Sequence, residues 1–189
     1  MLTKLQKLDL IAEKICKCEK CKEFLVSTIN KAPGNGNPDA RVVILGESLG
    51  KNETEQGKVF VGKSGELLNN ILKACNLSRE NNVWITNILK CRPPNNRTPT
   101  VDEANNCRSF LDLQLKVISP KYIMCMGACA AQNLLGDMTT PISQMRGKWY
   151  DYKGIKVLCT YHPSFLLRQP DRKKDAWEDW QLLLKNLGS

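Results

Sequence analysis

Residues 57–64 read "GKVFVGKS", which fits the phosphate-loop pattern G-x-x-x-x-G-K-[ST] at every required position. Taken literally, the stretch would join a strand to a helix and cradle a nucleoside triphosphate. Its surroundings oppose that reading. A phosphate loop follows its strand directly, so that main-chain N–H groups and the next helix's N-terminus meet the phosphates together. Here the apolar run "RVVILG" (41–46) ends at Gly46, and the charged stretch "ESLGKNETEQ" (47–56) intervenes. A triphosphatase also needs an apolar strand ending in Asp to help hold magnesium. "VWITN", "YIMCMG" and "VLCTYH" supply none. The match is read as an accident of another motif, and neither ATP nor magnesium is expected to be required.

Working outward, "RVVILG" is short, continuous and β-branched, as expected of a buried strand. "NVWITNIL" (82–89) and "KYIMCMG" (121–127) read the same way, and "WYDYKGIKVLCTYH" (149–162) reads as a hairpin-like pair turning at Lys153-Gly154. Helical spacing runs from residue 3 to about 15, through "SGELLNNILKAC" (64–75), and from about 171 to 187. "TVDEANNCRSFLDLQLKVI" (100–118) opens with Thr100 and Glu103 in a capping box, and Gly136 closes a short helix after "ACAAQNLL". "APGNGNPDA" (32–40) reads as loop. Strands alternating with helices predict an α/β fold: a three-layer α/β/α sandwich on a mainly parallel sheet of about four strands. One domain spanning 1–189 accounts for the length. Ligands of such sheets bind beyond the strands' carboxyl ends, where "GESLG", "TNILKCRPP", "MGA" and "TYHPS" fall.

Composition narrows the function classes. Lys and Arg number 28 against 19 Asp and Glu, a formal charge of +9 that favours a polyanionic partner, nucleic acid foremost. The start of the chain reads as an amphipathic helix and not a signal peptide. No apolar stretch is long enough to span a bilayer. A soluble, intracellular protein without membrane association is expected. Nine cysteines, an odd number in a chain with no export signal, argue for metal ligation or buried thiols over disulfides.

Four of those cysteines stand in polar surroundings or at spaced positions. Cys18 and Cys21 form C-x-x-C, Cys91 lies in "KCRPPNNR", and Cys107 follows after fifteen residues. Four thiolates can close a tetrahedral zinc site or an iron–sulfur cubane; the missing second knuckle suits the cubane better. Cys16 is a possible substitute ligand. Cys75, Cys125, Cys129 and Cys159 fit small buried apolar residues instead.

At the binding end of the sheet, His162 is the only histidine, stiffened by Pro163. It serves either structure or catalysis. Asn87 ends a strand, and its amide must find partners or read the edge of a base. Phe60 is either a plug on the sheet or a stacking surface.

"GESLGKNETEQGKVFVGKSGELL", "ITNILKCRPPNNRTPT" and "YHPSFLLR", with C-x-x-C before them, resemble the family 4 uracil-DNA glycosylases over nearly the whole chain. In this light "GKVFVGKSG" is similar to that family's Gly-x-Pro-Phe-Val-Gly-x-Ala-Gly, whose centre is an aromatic for a base. The resemblance implies a uracil-DNA glycosylase-like fold and a monofunctional enzyme of base excision repair. Such an enzyme hydrolyses the N-glycosidic bond of a flipped-out uracil, acts on uracil-containing DNA, and is expected to be monomeric and cytoplasmic in a prokaryote. It implies a structural [4Fe-4S] cluster on Cys18, Cys21, Cys91 and Cys107, a subsite formed by residues 16–21 and 91–107. Gly46, Glu47 and Ser48 match the first pocket motif, Phe60 the stacking aromatic, Asn87 the uracil-reading amide and His162 the catalytic histidine. Main-chain groups around Glu47 and Ser48 would place the attacking water, and Glu47 would act as base or as support for the sugar cation. Glu53 matches an acidic position that walls off the C5 methyl of thymine.

Leu166, four residues beyond His162, is expected either to wedge into the gap left by the flipped base or to pack in the core. Arg168, Lys173 and Lys174 are candidates to grip phosphates. Ser48 and Leu49 stand where the family usually has Ala and Pro, and Val59 replaces another proline, which loosens the loop's preset backbone. The alternative reading is a catalytically weak iron–sulfur DNA-binding or sensor protein of the same fold.

Overall fold

Strands with every residue buried must be covered on both faces, and the architecture follows from that need. In the computed structural model, which describes residues 1–188, the chain runs α1 (Lys4–Cys16), β1 (Asn35–Gly36), β2 (Val42–Gly46), α2 (Lys51–Gln56), α3 (Lys63–Ala74), β3 (Val83–Asn87) and α4 (Val101–Ile118). It continues through β4 (Tyr122–Met126), α5 (Ala128–Leu135), α6 (Ile142–Met145), β5 (Trp149–Tyr152), β6 (Ile155–Thr160), α7 (Pro163–Arg168) and α8 (Lys173–Leu187). β2, β3 and β4 are buried along their whole length, and β6 over its last four residues.

These four pair in parallel in the order β3-β2-β4-β6, with β1 and β5 antiparallel at the two edges. The sheet therefore has six strands where about four were expected. β5 is the first arm of the expected hairpin, turning on Lys153 and Gly154 at φ 53° and 83°. β1 covers only two residues inside the segment read as loop, too few for any period to reveal.

Alternate strand residues face two cores. Val43, Leu45, Ile123 and Val157 pack with Ile11, Leu111 and Leu115 on one side. Ile44, Ile85, Met124 and Leu158 pack with Leu68, Trp180 and Leu183 on the other. Helices α1 and α4 cover the first face and α3 and α8 the second, which is the expected α/β/α sandwich. The capping box forms in both directions: Glu103 N–H donates to Thr100 Oγ1 at 3.3 Å, and Thr100 N–H donates to Glu103 Oε2 at 2.7 Å. No helix among the described residues is long and apolar enough to cross a membrane.

From β2 the chain first adds β3 on one side, then crosses to add β4 on the other. The chain leaves β2 toward β3 and leaves β4 toward β6, in opposite directions, so the loops part at the carboxyl ends of β2 and β4 and open a crevice there.

Candidate active site

That crevice is a cleft of about 800 Å³, and its walls include Glu47, Ser48, Phe60, Asn87, His162 and Arg168. Most of the pocket residues read from the sequence meet in this one space. Gly46 lies just beneath. A Cβ there would stand 2.7 Å from two carbons of the Phe60 ring and would collide with Asn87 Oδ1. Only glycine lets the amide and the ring approach the strand end together.

Asn87 ends β3 opposite Gly46 in the parallel register and is 1% exposed. Its Nδ2 donates to the Ser48 carbonyl at 3.0 Å. Its Oδ1 is buried without a hydrogen-bond partner among the described residues. An unsatisfied buried acceptor costs about 1–3 kcal/mol. A donor arriving in the cleft would recover that cost.

Phe60 takes a left-handed backbone, φ 52°, which costs a residue with a Cβ roughly 1–2 kcal/mol. The surroundings hold it there from three sides. Arg79 donates to the carbonyls of Val59 and Phe60, both at 3.0 Å, and to Asn35 Oδ1 at 2.8 Å. Glu53 Oε1 accepts from the N–H groups of Val61 and Gly62 at 3.0 and 2.9 Å. Gly65 leaves room for the Phe60 carbonyl, which a side chain there would strike. Arg79 was not singled out in the sequence, because nothing in "LSREN" marks an arginine that reaches back to another loop. Glu53 also borders the cleft, so its carboxylate both braces the loop and faces the space above it.

One of the missing prolines is offset by a hydrogen bond that proline could not make. Leu49 donates its N–H, which proline lacks, to the Cys91 carbonyl at 3.2 Å.

His162 caps α7, and its ring lies 5.7 Å from that of Phe60, centroid to centroid. Its Nδ1 accepts from the Ser164 N–H at 3.1 Å and lies 2.8 Å from Ser164 Oγ. An amide can only donate, so Nδ1 carries no proton and the neutral ring bears its hydrogen on Nε2. Burial draws the pKa of His162 down to about 4; the positive charge of Arg168 adds to this and Glu53 opposes it. Gly127, φ 91°, gives the imidazole room, since a Cβ there would lie 2.9 Å from His162 Cβ.

Glu47 follows Gly46 directly. Burial raises its pKa, against a hydrogen bond with Cys129 that lowers it. The Cys129 thiol is itself pushed up to about 12, chiefly by burial and then by the Glu47 charge. Cys129 was read only as a small buried residue. It is buried, and it also borders the cleft against Glu47.

The wedge reading of Leu166 does not hold. Leu166 is 1% exposed and packs with Tyr161 and Ala176, so its side chain is committed to the core. The solvent-facing leucine is the next one, Leu167, at 43% exposed. Arg168 is exposed at the rim of the cleft, and Lys173 and Lys174 are exposed at the start of α8.

Cys21 and Cys91 pack against Phe24, Leu89 and Cys107 in a small separate cluster. Cys18 lies near enough for its charge to act on Cys21, Cys91 and Cys107. All four thiols are free. Burial raises the pKa of Cys21 and Cys107 and takes Cys91 to about 12. Asn106 Nδ2 donates to Cys21 Sγ at 3.6 Å.

Among the described residues, no group of three or more His, Cys, Asp or Glu is gathered as for a single metal ion. Thiolates on one zinc, each ~2.3 Å from the metal, would lie about 3.8 Å apart. Cys21, Cys91 and Cys107 gather at one apolar cluster with Cys18 close by, a set of four free thiols of the kind that holds a tetrahedral zinc or an iron–sulfur cubane. Asn96 and Thr98, between Cys91 and Cys107, line the cleft, so this subsite and the cleft share a wall. Next to Cys91, Lys90 is buried, its pKa drawn down to about 7 by burial against the opposing pull of Cys107.

Comparison with known proteins agrees with this geometry. The family model of the uracil DNA glycosylase superfamily matches residues 33–183. A type-4 uracil-DNA glycosylase of Archaeoglobus fulgidus is 41% identical over 184 residues, covering 94% of this chain and 92% of the relative. That of Thermotoga maritima is 40% identical over 169 residues, 89% and 87% of the two chains. A type-5 uracil-DNA glycosylase of Pyrobaculum aerophilum is more distant, 31% identical over 149 residues, covering 70% of this chain and 65% of that one. With its cleft at the switch point and two-fifths identity over nearly its full length, the chain belongs to the type-4 uracil-DNA glycosylases.

Proposed function

We propose that this protein removes uracil from DNA by hydrolysing the N-glycosidic bond, leaving an abasic site for base excision repair. The observation that carries the reading is the buried Oδ1 of Asn87, without a partner among the described residues, in one cleft with Phe60 and His162. A uracil flipped from the duplex stacks on Phe60. It offers N3–H to that Oδ1 and accepts at O4 from the amide nitrogen. Cytosine presents the opposite pattern at this edge and leaves both amide groups mismatched, a discrimination of ~10⁴ or more.

As the bond between C1′ and N1 breaks, its electron pair leaves with uracil and spreads onto O2. The Nε2–H of His162 donates to that oxygen. A preorganised donor of this kind contributes about 3–4 kcal/mol to transition-state stabilisation. Water, placed by the main chain around Glu47 and Ser48, adds its oxygen to C1′, and its proton ends on the departing uracil anion. The Glu47 carboxylate balances the positive charge on the sugar. Glu53 closes the cleft to the methyl group of thymine, where attraction alone would discriminate by only about 1–3 kcal/mol.

Cys18, Cys21, Cys91 and Cys107 would hold a [4Fe-4S] cluster, whose part is to tie the cleft's outer loops together and not to react. The exposed Arg168, Lys173 and Lys174 lie toward the phosphates. The chain works as a monomer in the cytoplasm.

An oligonucleotide with a single uracil, incubated with the purified protein and then treated with alkali, is cut at that position without magnesium or ATP. A thymine control stays whole. An intact uracil strand would reject the reading. Iron-loaded protein is brown with absorbance at about 400 nm; a colourless preparation with stoichiometric zinc would replace the cluster by a zinc site.

A further inference from the structure

Lys90 is 1% exposed, and among the described residues no carboxylate meets its ammonium. Its three N–H groups are spent on neutral oxygens: Thr86 Oγ1 at 2.6 Å, the Asn87 carbonyl at 2.7 Å and Gln114 Oε1 at 2.9 Å. Those partners are themselves anchored, since Thr86 Oγ1 and Gln114 Nε2 both donate to the Pro33 carbonyl at 2.8 Å. A buried ammonium with only neutral ligands lacks the opposite charge that normally accompanies burial. The charge that opposes this burial comes from Cys107, in the cysteine subsite. The Lys90 main chain lies close enough to the Cys107 thiol to pull its pKa down against burial, and α4 carries both Cys107 and Gln114, two turns apart on its buried face.

We propose that Lys90 is a positioning residue joining the two sites: its ammonium balances the cluster-bound thiolates, and its bond to the Asn87 carbonyl fixes the strand end that presents the reading amide. The proposal rests on the assignment of an iron–sulfur cluster to the four cysteines. One side chain thereby makes the rigidity of the base pocket depend on the filled cysteine site. The cluster need not touch the base. It needs only to keep a buried cation in place 2.7 Å from the main chain of Asn87.

The test compares iron-loaded wild type with Lys90→Met, which keeps the length and loses charge and donors, and Lys90→Gln, which keeps polarity without charge. Lys73→Met, at an exposed position of α3, is the control. Wild type and control should match. Both neutral variants should bleach about tenfold faster under a chelator. Their cluster potential should move to more negative values, because a nearby positive charge favours the reduced, more negative cluster. KM for the uracil oligonucleotide should rise about tenfold with a smaller change in kcat.

Wild-type bleaching and potential in either folded neutral variant would overturn the proposal. Where neither neutral variant folds, Lys90→Arg decides: iron retention by the arginine chain assigns the requirement to charge, and its failure assigns it to shape and rejects the proposal. A wild-type protein without iron would instead sink the cluster assignment itself.

Discussion

The Ser164 N–H donates to His162 Nδ1 at 3.1 Å, so the one imidazole of the chain presents Nε2–H to the cleft as a neutral donor. With its pKa lowered from 6.5 to about 4, the ring stays neutral between those values, where an unfolded histidine would take a proton. The sign for stability follows. As pH falls from about 6.5 to 4 the unfolded chain gains the proton first and folding weakens; above 6.5 the group contributes no pH dependence. Nitrogen-15 NMR can follow this directly, because no second histidine overlaps the signal. The spectrum should show the Nε2–H tautomer and a midpoint near 4. A midpoint near 6.5, or a proton on Nδ1, would remove His162 as the neutral donor.

Asn87→Asp should convert a donor–acceptor pair into two acceptors. The bond from Nδ2 to the Ser48 carbonyl is lost, and a carboxylate then faces that carbonyl oxygen. Excision of uracil should fall by about two orders of magnitude or more, and the preference for uracil over cytosine should shrink, since hydrogen-bond readout was its source. The measurement is kcat/KM on matched oligonucleotides carrying each base. An undiminished preference would mean that another group reads the base.

The bracing of Phe60 by Arg79 leads to a separate expectation. Its guanidinium spans two successive carbonyls with a planar fork that lysine cannot reproduce. Arg79→Lys and Arg79→Met should therefore both relax the loop, leaving Phe60 free to abandon φ 52°. KM should rise by about thirtyfold, from two hydrogen bonds each contributing ~1 kcal/mol, while the cluster absorbance stays unchanged. Unaltered kinetics in Arg79→Lys would show that Glu53 and Gly65 hold the loop without it.

Much of this arrangement was readable before any coordinates. Continuous apolar runs located the parallel strands, and the Thr100–Glu103 box located the start of α4. Strand ends then brought Glu47, Asn87 and His162 to one edge of the sheet. What escaped was everything decided by reach across the fold. Lys90, flanked by Leu89 and Cys91, reads locally as another surface lysine in a basic chain, and only the meeting of β3 with α4 buries it. Arg79 lies nineteen residues from the carbonyl of Phe60 that it holds. The short α7, with Phe165, Leu166 and Leu167 in succession, carries no polar–apolar period to tell which leucine faces inward.

That last ambiguity yields the final prediction. At ~3.6 residues per turn, neighbouring leucines differ by about 100° around a helix, so burying Leu166 turns Leu167 to solvent. Leu167 lies between His162 and Arg168, both bordering the cleft, which makes it the apolar side chain positioned to fill the gap beside a flipped nucleotide. Leu167→Ala should cost about tenfold in excision from duplex DNA and little from single strands, which have no stack to hold open. Leu166→Ala should instead lower the unfolding temperature, through a core loss of about 2–5 kcal/mol, and should not separate the two substrates. If Leu167→Ala slows both strands alike, the wedge is not Leu167. The duplex would then have to be held open by some other part of the rim.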